Sequence, residues 1–159
     1  MRSFKQEDLV DQIDKEYQQI LKQTGTKVIW GKCSSDYHLG LYNSFLNEIK
    51  MCSGNNRSLY TAKSVLMHEI VHAHDHIILG ANMRDKIQAS CSEIKAYGLI
   101  DCGKFPSRIY DSQEECILTK LSFFPRGITK EQVLSLMSKC NSYARGKDIT
   151  DNILIKLQS

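Results

Sequence analysis

Two histidines four residues apart, His68 and His72, flank a glutamate, Glu69, inside the stretch "SVLMHEIVHAHDH" at residues 64–76. On a helix of 3.6 residues per turn this spacing puts both imidazoles on one face, a turn apart, where they can share a metal ion at about 2.0 to 2.1 Å. Glu69, beside the first of them, is placed to take a proton from a water that zinc acidifies toward a pKa of about 7, giving a nucleophile for a peptide carbonyl. Val65, Leu66, Met67, Ile70 and Val71 make the surroundings apolar, as a helix under an active-site floor requires. The competing reading is a surface helix whose histidines titrate and whose glutamate is solvated.

A catalytic zinc needs a third protein ligand and an open fourth position. The metzincin spacing puts a histidine six residues after His72, where this chain has Ile78. That class is excluded. Glu93, on the next predicted helix, is the preferred third ligand, set against an ordinary helix charge near Lys95. Asp75 is the alternative, one turn after His72, either as ligand or as an outer acceptor for an imidazole N–H. His38, His74 and His76 read as surface histidines.

The elements that must hold these residues follow from periodicity. Apolar positions from Phe4 to Leu21 repeat as in an amphipathic helix, within an N-terminal segment 1–25 that ends near "QTGTK". "TKVIW" and "EIKMC" read as strands, the second closed by the turn signal "SGNN". "RSLYTAK" is a short strand or the lead into the histidine helix, which runs from Ser64 to about Leu79 and stops at Gly80. Further helices are expected over Lys86 to Tyr97, closed by Gly98, over "SQEECILTKLSFF" with a capping box at Ser112 and Glu115, over "ITKEQVLSLMSKCNSYA" and over "DNILIKL". The fold class is α+β, mostly helical, in one domain over 1–159.

Length and composition agree with one packed domain. A chain of 159 residues buries roughly 70% of the surface its unfolded form exposes. Its 42% hydrophobic and 25% charged residues are globular averages, and the net charge of +3 is spread rather than striped, so nucleic acid is not an expected partner. No apolar run reaches the eighteen or so residues that span a bilayer, and the N-terminus carries acids and no apolar centre, so neither a secretory signal nor a transit peptide is expected. Cys33, Cys52, Cys91, Cys102, Cys116 and Cys140 contain no C-x-x-C pair. Their spacing alone fits three disulfides as well as six reduced cysteines.

"HEIVHAHDH", "ASCSEIKAYGLIDC" and "CILTKLSFFPRGITKEQVLSLMSKC" together resemble the mitochondrial inner-membrane-associated zinc metalloprotease and ATP-synthase assembly factor family, also called the Ku-binding protein family. The likeness runs from about Cys33 to Tyr143. It implies a zincin-like fold, a short N-terminal sheet followed by the H-E-x-x-H helix and further helices. It also implies Zn²⁺ on His68 and His72, Glu69 as the catalytic glutamate, and oxidised cysteines. Cys91 with Cys102, Cys116 with Cys140 and Cys33 with Cys52 are sterically reasonable pairs within that reading. The implied place is the intermembrane space, peripheral to the inner membrane, and the implied partner an inner-membrane substrate, an ATP-synthase subunit, or a large mitochondrial membrane complex. The chain departs from the family at His74, usually aromatic, at Ile87 and Gln88, usually arginine and histidine, and at "LIDC", which replaces a longer glycine-containing sequence. Two functions follow: a zinc endopeptidase and assembly factor, or a non-catalytic accessory subunit of a respiratory complex or the ATP synthase that retains the metalloprotease fold. A role in DNA repair has no support in charge or motif.

Overall fold

The computed structural model describes residues 8–35, 38–56 and 58–102, with Cys116, Glu131, Ser135 and Cys140. The chain divides into two compact units, Met1–Ile78 and Leu79–Ser159.

In the first unit the expected N-terminal helix is two helices, α1 (Leu9–Gln12) and α2 (Lys15–Thr24). The break at Ile13, which is extended, leaves Leu9, Ile13, Tyr17, Ile20 and Leu21 all buried, so the apolar spacing passes through it unchanged. The Gln18 side-chain amide donates to the carbonyl of Ile13 at 2.9 Å, replacing a helical bond that the break removes. Gly25 ends α2 in the left-handed region, φ 65°, its N–H donating to the Leu21 carbonyl at 3.0 Å.

Three strands follow: β1 (Lys27–Gly31), β2 (Gly40–Asn43) and β3 (Glu48–Cys52), in the order β1-β3-β2. β1 runs parallel to β3 with Lys27 opposite Glu48, and β2 runs antiparallel with Gly40 opposite Met51. The first and third are the expected strands; β2 was not anticipated. Its turn into β3 is held by the Asn43 carboxamide oxygen, which accepts the N–H groups of Phe45 and Leu46 at 3.0 and 3.1 Å. At the end of that turn, Asn47 takes φ 51° and ties three segments together. Its Oδ1 accepts the hydroxyls of Thr26 and Tyr42 at 2.8 and 2.9 Å, and its Nδ2 donates to the Thr24 carbonyl at 2.8 Å.

Helix α3 (Leu59–Ile77) lies against α1, α2, β2 and β3. "RSLYTAK" is therefore the start of this helix and not a strand, because Ser58 caps it: its Oγ accepts the Thr61 N–H at 3.1 Å. Leu66 and Ile70 of α3 meet Ile49, Met51 and Cys52 of β3 in a core whose side chains are fully enclosed.

In the second unit, α4 (Lys86–Ala96) is capped by Asp85, whose Oδ2 accepts the Gln88 N–H at 3.0 Å. Gly98 does not close it. The chain continues as a π-helical segment, Tyr97–Asp101, ending where the Cys102 N–H donates to the Tyr97 carbonyl at 2.6 Å. The three later helices expected from sequence lie outside the described residues, apart from Cys116, Glu131, Ser135 and Cys140, each of which is helical.

The cysteines form three disulfides: Cys33–Cys52, Cys91–Cys140 and Cys102–Cys116. The first is the pairing expected; it closes on the strand ends, since Gly31 is already opposite Cys52. The other two expected pairs are exchanged. Cys91 and Cys102 are eleven positions apart on one continuous helical path, a rise of roughly 16 Å at 1.5 Å per residue, far beyond the span of a disulfide. Each must find a partner elsewhere. Short sheet first, then the H-E-x-x-H helix, then further helices: the α+β class expected from sequence is the one observed.

Candidate metal centre

From Leu66 to Asp75 every residue of α3 is buried. A helix enclosed all round is a central element of its unit, and the sequence achieves this with nonpolar residues on every side of the histidines. His68, Glu69 and His72 are thus drawn into the interior by the packing of their neighbours. The two imidazoles stand one turn apart with ring centroids 5.0 Å from each other and planes at 78°. Two enclosed imidazoles this close can serve as donors to one metal ion.

Glu69 follows His68 directly, on the side of α3 that also carries Val65 one turn before. Asp75 is buried near the end of the helix, as an outer-shell residue or alternative ligand would be. Glu93 sits on α4 in the second unit, half-buried.

The remaining histidines divide. His38 is exposed, as expected. His76 is half-buried, its ring 6.1 Å from that of Tyr42. His74 corrects the sequence reading: only 3% of it is exposed. The alternating "HAHDH" looks like the polar face of a surface helix, but α1, α2 and the sheet surround α3, so the positions between the histidine pair and the helix end are enclosed too. The signal available was the placing of Leu66, Met67, Ile70, Val71 and Ala73 on several sides of the helix, wider than a one-sided stripe needs. The surface-helix alternative fails with it.

Tyr42 belongs to the same unit. Burial pushes its phenol up to about 12, and the hydroxyl is held as donor by Asn47. Among the described residues no helix is long and apolar enough to cross a membrane.

The family model of the Peptidase M76 family matches residues 1–150. A curated relative, the mitochondrial inner membrane protease ATP23 of Lodderomyces elongisporus, is 40% identical over 48 residues, 30% of this chain. The matched stretch spans only 20% of that relative's length. No solved structure matches the chain.

Proposed function

The chain belongs to the Peptidase M76 family, and from that premise we propose that it is a zinc-dependent endopeptidase and assembly factor of the mitochondrial intermembrane space, acting on an inner-membrane ATP-synthase subunit. The observation that carries the proposal is the buried His68–Glu69–His72 turn of α3, with its two imidazoles 5.0 Å apart. The relative's name supports the mitochondrial inner membrane as the place of work.

We assign the metal to His68, His72 and Glu93, two imidazoles and a carboxylate, the donor set of a hydrolytic zinc centre with one position left open. Zinc held there supplies Lewis acidity toward the scissile carbonyl. Glu69 does the proton work: its carboxylate takes a proton from the attacking water and returns it to the amine nitrogen that leaves. Asp75 is the positioning residue, fixing an imidazole of the ligand pair.

The test is to purify the protein and its Glu69→Gln variant, measure bound zinc, and follow cleavage of the inner-membrane ATP-synthase subunit precursor in detergent. Zinc near one per chain in both is expected, with cleavage reduced about 10²- to 10⁴-fold in the variant. Zinc without cleavage in the unaltered protein would make it an accessory subunit that kept the fold. No zinc in either would overturn the metal assignment.

A further inference from the structure

We propose that Gly40 is a positioning residue for Glu69: the absence of a side chain at this point lets the edge strand β2 lie flush against the turn of α3 that carries the carboxylate. The inference rests on the reading of Glu69 as the catalytic base.

A Cβ built on Gly40 would stand 2.6 Å from Cγ1 of Val65, 3.4 Å from Cγ of Glu69 and 3.5 Å from Sδ of Met51. Val65 and Glu69 are four residues apart on α3, so they share one face, and Gly40 lies over both. Met51 is the cross-strand partner of Gly40, is fully buried, and fills the same face of the sheet beside it. Carbon atoms in good contact sit about 3.5 to 4.0 Å apart, so a methyl group here needs a displacement of roughly 1 Å at Val65. Val65 resists giving way by rotating. A β-branched side chain in a helix has one strongly preferred χ1 rotamer.

The strain must therefore move β2 off α3 or tilt the Val65–Glu69 face of the helix. Either changes the wall against which the Glu69 side chain rests. The three atoms nearest that Cβ include one of Glu69 and none of His68 or His72. The metal ligands are thus less disturbed than the base, and the two effects separate in an experiment.

Gly40→Ala is expected to lower kcat about tenfold to a hundredfold on the ATP-synthase subunit precursor, the scale of a base misplaced by about 1 Å. KM and zinc content, the latter read by chelator competition, stay near their original values. Adding Val65→Ala removes the 2.6 Å collision and restores most of the lost kcat. Unchanged kcat in Gly40→Ala, zinc lost in step with activity, or no recovery in the double variant would each overturn the proposal. If Gly40→Ala does not fold, the double variant is compared with Val65→Ala alone: equal kcat supports the proposal, a deficit overturns it. Glu69→Gln separates the two levels. A dead Glu69→Gln beside a fully active Gly40→Ala sinks this inference alone, whereas an active Glu69→Gln sinks both.

Discussion

In the first unit β3 and α3 enclose Ile49, Met51, Leu66 and Ile70 completely, and one disulfide closes a span of 19 residues. In the second, the buried positions described on α4 are mostly small, Ala89, Ser90, Ser92 and Ala96 with Ile94, and two disulfides close spans of 49 and 14 residues. Among the described residues, large apolar side chains hold the first unit, and those of the second are tied by covalent staples. The difference matters because His68 and His72 stand in the unit held by its apolar core. A cell compartment that fails to oxidise the chain would then leave the imidazole pair formed while α4 loses its covalent tie.

The largest expected effect comes from cutting the longest staple. Cross-linking entropy puts the 49-residue loop at about 4 kcal/mol and the 19-residue loop at about 3 kcal/mol. Replacing Cys91 and Cys140 by alanine should lower the stability of the second unit more than replacing Cys33 and Cys52 lowers that of the first. Hydrogen exchange resolved by segment checks this, with amides of α4 losing protection while those of α3 keep theirs. Equal loss in both units would break the contrast.

The converse substitution acts on the other side. Leu66→Ala empties a fully enclosed site and should cost about 3 kcal/mol, within the usual range of about 2 to 5 for such truncations. Here denaturant unfolding should show protection lost first in α3 and β3. A cost under about 1 kcal/mol would mean the first unit depends on its core less than its burial indicates.

The smallest effect is alkaline. Tyr42 titrates at about 12 when folded, above its ordinary value near 10. Since the folded form holds its proton more tightly, stability is full below pH 10 and falls as the pH rises from 10 toward 12. Tyr42→Phe should flatten that limb in a series of thermal melts, while also losing the hydroxyl bond to Asn47. An unchanged alkaline limb would assign it to other groups.

How far the sequence reveals the molecule differs by element. The histidine helix was legible because four-residue spacing and an apolar surround coincide, and "TKVIW" and "EIKMC" because β-branched or alternating residues end at turn signals. β2 was not, since "GLYN" opens with glycine and half its residues face outward, so nothing in four residues distinguishes it from a loop. The start of α3 was ambiguous because Leu59 and Tyr60 suit a strand as well as a helix, and the Ser58 cap decides only once its bond is seen. The disulfides of the second unit needed knowledge that α4 runs on past Gly98, where glycine ordinarily signals a stop. Gly40 carries no sequence sign at all, because its role depends on what lies across from it.

Asn47 shows what such dependence means for the inheritance of this fold. The position asks for a residue that tolerates φ 51°, accepts two hydroxyls and donates an amide N–H to Thr24. Glycine meets the first demand and none of the others, aspartate lacks the donor, and glutamine is a methylene too long. Of twenty letters one suffices, so nearly all the information available at this site is spent on joining a helix end, a strand and a hairpin. Drift can rewrite the surface of the sheet freely, but a change here must be answered at Thr24, Thr26 and Tyr42 together, and single-step evolution has little room to do that.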